Sequence, residues 1–100
     1  MARVTWAPRA LDDLDAIAEF IARDSPRYAS VFVRKTLETA EHCGEFPEAA
    51  AIVPEFDSTL LRERLIFRYR MIYRVVSADD VEIVSIVHGA RELPGVVGDG

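Results

Sequence analysis

The stretch from Leu61 to Leu93 constrains this chain more than any other. It holds three runs rich in β-branched and aromatic residues, at about 60–66, 69–77 and 81–88, with short breaks between them. The second break is Asp79-Asp80. Runs of that length with turn-length gaps predict an antiparallel meander. Such a sheet needs an apolar cover on at least one face, and the rest of the chain must supply it.

The first half has the periodicity to do so. Leu11, Leu14, Ile17, Ala18 and Ile21 recur at spacings of three and four, which predicts an amphipathic helix over 8–23. Pro8 suits its first turn, where a missing N–H costs nothing. Asp24-Ser25-Pro26 breaks the pattern, with Ser25 a good N-cap for a second helix over 26–43. Its stripe is Ala29, Phe32, Val33, Thr36, Leu37 and Ala40, and Gly44 suits its C-cap. Arg3 to Trp6 reads as a short first strand. Residues 45–59 contain Pro47 and Pro54 and show no period, so they read as a surface connection with at most one turn of helix. The expected fold class is α+β. An N-terminal strand and an antiparallel helical hairpin pack on one face of a mainly antiparallel sheet of three to four strands. Leu14, Ile17, Ile21, Phe32, Leu37, Tyr73, Val75 and Ile83 form the expected core. The domain spans 1–93, and 94–100 reads as a loose tail.

Several function classes drop out. No apolar run approaches the roughly 20 residues of a membrane span, and the N-terminus reads as a strand, not a signal peptide. Cys43 is the only cysteine, so neither an internal disulfide nor a thiolate metal cluster is available. A buried thiol and a cytoplasmic location are expected. There is no glycine-rich phosphate loop, metal-ligand spacing or nucleophile elbow, so neither cofactor nor metal is expected. Asp12, Asp13 and Asp15 read as a solvated helical face.

What remains is a cluster of arginines. Arg62, Arg64, Arg68, Arg70 and Arg74 fall in thirteen residues with one acid, Glu63, a local charge of five minus one, +4, in a chain of net charge −5. Strand alternation puts Arg62 and Arg64 on one face of their strand, and Arg68, Arg70 and Arg74 on one face of the next. Two readings fit. The arginines pair with Glu63, Glu82 and Glu92 on a solvated face, or they form a site for an anionic partner, to which guanidinium offers a planar fork of donors. His88 and Arg91 close the third strand, and a histidine there is either structural or an acid–base group.

The motifs carry a resemblance. Val4-Thr5-Trp6-Ala7-Pro8-Arg9-Ala10 with the helix after it, Val53-Pro54-Glu55 before Leu61-Arg62-Glu63, Tyr69-Arg70-Met71-Ile72-Tyr73-Arg74-Val75, and Val87-His88-Gly89-Ala90-Arg91-Glu92-Leu93 together resemble the RelE/ParE toxin superfamily of type II toxin–antitoxin systems. The match runs in order from about residue 3 to 93. The resemblance implies a helical hairpin on an antiparallel sheet and a cognate antitoxin as partner. It implies one of two targets: DNA gyrase, which ParE-like members inhibit without hydrolysis, or ribosome-bound mRNA, which RelE-like members cut. For a ribonuclease it implies Arg70, His88 and Arg91 as catalytic residues. For a binding toxin Arg62, Arg64, Arg68 and Arg74 are the candidates to touch the target. Ala90 stands where ribonuclease members often carry a second arginine, no tyrosine follows Tyr73, and Lys35 is the only lysine. The His88-Gly89-Ala90-Arg91 ending resembles the ParE branch. The abundance of apolar residues leaves some for an antitoxin segment that folds along the helical hairpin or the open sheet edge.

Overall fold

The computed structural model describes residues 1–90. Arg91, Glu92, Leu93 and the tail at 94–100 lie outside the described residues. The elements are β1 (Arg3–Trp6), α1 (Pro8–Ala22), α2 (Pro26–Glu45), β2 (Ala51–Ile52), β3 (Leu61–Ile66), β4 (Tyr69–Ser77) and β5 (Asp80–His88). The sheet order is β1-β5-β4-β3-β2, antiparallel except for the parallel pair β1 and β5. The expected helices on an antiparallel meander are present. The strand number differs: the sheet has five strands rather than three or four. The extra one is β2, inside the connection read as irregular, where Ala51 and Ile52 pair with Glu63 and Arg62. A pair that short carries no period for the sequence to reveal.

Local chemistry accounts for the helix ends. The Ser25 hydroxyl accepts from the Tyr28 N–H at 3.0 Å, and Pro8 and Pro26 open the two helices. Gly44 does not end α2; the helix runs on to Glu45. Its missing side chain serves packing instead. A Cβ there would lie 2.7 Å from Val4 Cγ2 and 2.8 Å from the Ala2 carbonyl oxygen, while Ala2 N–H donates to the Gly44 carbonyl at 2.8 Å. Glycine thus lets β1 dock against the helix backbone.

The core lies between the helices and one sheet face, built on Leu14, Phe32, Cys43, Ile66, Met71, Tyr73, Val75, Val81, Ile83 and Ile86. Ile17 and Ile21 are only half-buried at its margin. Leu37 is not core: it is 49% exposed. The buried stripe of α2 runs instead through Ala29, Phe32, Thr36, Thr39, Ala40 and Cys43. Thr36 and Thr39 enter it because their hydroxyls donate to the Phe32 and Lys35 carbonyls, at 2.8 and 2.7 Å. That removes the cost of burying a hydroxyl and shifts the stripe away from Leu37. Asp13 is also not merely solvated. It lies past the stretch of β5 that β1 covers, and its carboxylate accepts from the Ile86 N–H at 3.0 Å and the Ser85 hydroxyl at 2.7 Å.

The opposite sheet face has a smaller apolar cluster. Val53, Ile72 and Val87 are buried there, with Phe56 and Leu61 against them. The connection at 46–60 therefore folds over the sheet, and β4 is buried on both sides.

Truncating Phe32 to Ala should cost roughly 3–5 kcal/mol in urea unfolding. Gly44→Ala should cost about 1–3 kcal/mol, since backbone must move. Leu37→Ala should stay within about 0.5 kcal/mol. A large loss for Leu37→Ala with little for Phe32→Ala would contradict this core.

Candidate functional site

The arginine patch does not lie on one face. Register pairs Arg62 with Tyr73 and Arg64 with Met71, so both project to the side that carries the core. Arg70 and Arg74, paired with Leu65 and Leu61, project to the opposite side. Arg68 is not in a strand; it is exposed at the tip of the β3–β4 hairpin beside Phe67.

Each arginine then has its own role. The Arg62 guanidinium donates to the backbone carbonyls of Thr59, Glu48 and Ala50, at 2.9, 3.0 and 3.0 Å. It ties down both ends of the connection, a role the Tyr73 hydroxyl shares by donating to the Pro47 carbonyl at 2.6 Å. Arg64 lies against the Cys43 thiol and the Tyr73 hydroxyl. Burial pushes that thiol up to about 11 and that phenol up to about 12, so both are neutral at ordinary pH. Arg74 pairs with Glu82 at 3.2 Å on the surface.

Arg70 is 7% exposed and is the most heavily engaged. Its terminal nitrogens grip Glu55 as a fork, with Nη1 to Oε2 and Nη2 to Oε1 both at 2.7 Å. Its Nε donates to Glu63 Oε1. Hydrogen bonding from Arg70 holds the Glu55 carboxyl below the usual range, and the same contact with Glu55 holds the Arg70 guanidinium above its own. Of the carboxylates proposed for the patch, Glu63 and Glu82 do pair, and Glu92 lies outside the described residues. Glu55, the last residue of the Val53-Pro54-Glu55 motif, is the partner that the sequence does not reveal. Its distance in sequence, fifteen residues from Arg70, hid the pairing.

The ribonuclease constellation does not assemble among the described residues. Arg70 is opposite Val87, so His88, one residue on, faces the other side, where it is opposite Tyr69 and their rings meet edge to face at 5.6 Å. His88 Nδ1 accepts from the Ala90 N–H at 3.2 Å. Gly89 N–H donates to the Arg68 carbonyl at 2.7 Å, an approach close enough that a Cβ would sit 3.0 Å from that oxygen. Arg91 lies outside the described residues. No group of His, Cys, Asp and Glu among the described residues could hold a metal, and no helix among them is long and apolar enough to cross a membrane.

A family model described as the ParE toxin of the type II toxin–antitoxin system parDE matches residues 4–93. The chain belongs to the ParE toxin family. It is 34% identical over 91 residues to toxin RelE2 of Caulobacter vibrioides, covering 91% of this chain and 99% of that one. In three dimensions it is similar to a chain of the chromosomal ParDE system from P. aeruginosa, with a TM-score of 0.70 and 21% identity, covering 88% and 96% of the two chains. It is also similar to a chain of the YoeB-YefM toxin–antitoxin complex from Staphylococcus aureus, at 0.53 and 18%, covering 88% and 97%. The last two likenesses support the fold, which is that of a ParE/RelE-type toxin.

Within this family fold, Arg70 and its two glutamates make a pH-sensitive joint. Because the folded-state value of Glu55 lies below the unfolded one, its contribution is complete above the ordinary glutamate value of about 4.3 and is lost as pH falls below it. Urea unfolding from pH 7 down to pH 3 should therefore show stability falling at the acid end. Glu55→Gln should start lower and show a shallower fall. An unchanged acid slope in Glu55→Gln would contradict the pairing.

Proposed function

We propose that this toxin inhibits DNA gyrase by binding, without hydrolysis, and that a cognate antitoxin keeps it inactive. The observation that carries the reading is the state of Arg70. A catalytic arginine has to present donors to a phosphate as charge develops on it. Here the guanidinium fork is occupied by Glu55 and its Nε by Glu63. Moving those carboxylates away would leave a nearly buried cation without its partners. The family match to ParE and the position of His88 on the other sheet side support the same choice over cleavage of mRNA on the ribosome.

The surface that meets the target is then narrower than the whole patch. Arg62 and Arg64 face inward, so Arg68 and Arg74 are the candidates for contact. Arg68 is favoured. It follows Phe67, half-exposed at φ 54, a backbone conformation that costs a bulky side chain on the order of 1–3 kcal/mol. The Phe67 ring packs on Tyr28 and Phe32, with centroids 5.8 and 6.4 Å apart, so the turn that presents Arg68 is held against α2 while half of that ring stays exposed beside it.

Gyrase supercoiling and the integrity of mRNA on translating ribosomes should be assayed side by side with the purified chain. Supercoiling should be inhibited and the RNA should stay intact. Arg68→Ala should weaken inhibition by about 1 kcal/mol or more with unfolding stability unchanged. Arg70→Ala should cost roughly 2–4 kcal/mol of stability, because two carboxylates lose their cation. Specific mRNA cuts that vanish in Arg70→Ala would overturn the proposal.

A further inference from the structure

Arg64 is a second inward-facing arginine, but its circumstances are the reverse of those of Arg70. Its Nε is shielded from solvent and meets no hydrogen-bond acceptor. None of the ion pairs among the described residues includes it. The groups it lies against, Cys43 and Tyr73, are both neutral. A guanidinium N–H shielded from water with no acceptor is costly even when the rest of the side chain is partly exposed, so the arrangement is incomplete as it stands.

The gap lies on the open side. Arg64 lines a slot of about 520 Å³ between α2 and the sheet, with Lys35, Thr39 and His42 above, and Ala49 to Ala51 beside it. The lining acid, Glu63, is already held by Arg70. The slot therefore combines three basic side chains with no available carboxylate. It also opens where the sheet edge changes hands. β2 pairs with β3 only as far as Ala51 opposite Glu63. The Leu61 carbonyl points toward β2, accepting from Val53 N–H at 3.1 Å, and alternation turns the N–H and C=O of Leu65 to the same side, past the end of β2. The Leu65 side chain is 70% exposed.

We propose that this slot is a carboxylate site for an acidic, extended segment of the antitoxin. The segment continues the line of β2, pairs its backbone with Leu65, and sets an Asp or Glu side chain against Arg64, with Lys35 and His42 at the mouth. The inference rests on the antitoxin reading above and adds the place and the chemistry of the contact. An unpaired strand edge selects a peptide over a nucleic acid, because its donors and acceptors match another backbone. The net charge of −5 points the same way. It opposes a polyanion, whereas a single carboxylate in a slot responds to charges within a screening length of about 8 Å.

The test uses the full chain and its cognate antitoxin. Binding is measured by calorimetry at two salt concentrations, and thermal unfolding is measured on the toxin alone. Arg64→Met should leave the free toxin melting no lower than the wild type, yet weaken antitoxin binding tenfold or more and reduce its salt dependence. Arg64→Lys should fall between the two. A merely structural Arg64 would instead lose stability in the free chain. The surface pair Lys35→Ala/His42→Ala should weaken binding severalfold with unfolding unchanged, and it decides the matter if Arg64→Met does not fold. Antitoxin binding within twofold of wild type for a folded Arg64→Met, or for the surface pair where Arg64→Met does not fold, would overturn the slot while leaving the antitoxin reading intact. Failure of the wild-type toxin to bind the antitoxin would overturn both.

Discussion

The clamp of Arg70 on Glu55 and Glu63 is the interaction on which the outer half of this fold depends. Arg70 sits on β4, Glu63 on the neighbouring β3, and Glu55 in the long connection that crosses the sheet. Beneath them Val53, Ile72 and Val87 are buried with Phe56 and Leu61 at their side. From the connection that cluster takes only Val53 and Phe56, and ordering the remaining residues costs backbone entropy. A two-pronged, charge-assisted grip supplies direction as well as energy. With Arg62 and Tyr73 fastening the connection from the other side, both faces of the sheet become covered.

The same clamp separates the two chemistries that a toxin of this family can have. A guanidinium is useful to a phosphate only if its donors are available when charge develops. Here three of them are spent on carboxylates that position the chain, and the pair is mutually reinforced: Glu55 is harder to protonate and Arg70 harder to deprotonate. A phosphate would have to displace both glutamates before it could be held there. The arginines of the patch thus divide by strand face and depth into tethers, a half-buried cation and exposed side chains, and no common electrostatic surface results.

Much of this division was legible in the sequence, and the limits have physical causes. Periodicity revealed both helices and the meander, because apolar spacing of three to four and runs of β-branched residues report burial directly. Leu37 and Thr36 were exchanged in the core because a threonine that donates to its own helix backbone is buried cheaply, which hydropathy does not register. Strand alternation places Arg62 with Arg64 and Arg70 with Arg74, but it fails for Arg68, which lies in the hairpin turn and not in a strand. It does not say which face of β3 joins which face of β4; that is set by the Phe67-Arg68 turn and the pairing of Ile66 with Tyr69. Glu55 was hidden because its partner lies across the sheet, and β2 because two residues make no pattern.

The central claim is that Arg70 is a clamp and not a reacting group, and one variant tests it directly. Replacing a whole buried ion cluster with apolar residues of similar size is often tolerated, whereas removing one member is not. Arg70→Met/Glu55→Leu/Glu63→Leu removes the charges together. In a gyrase supercoiling assay with a circular dichroism check of folding, this triple variant should fold and inhibit within a few-fold of the wild-type toxin. A triple variant that is folded but has lost its toxic activity would contradict the account and return Arg70 to the chemistry.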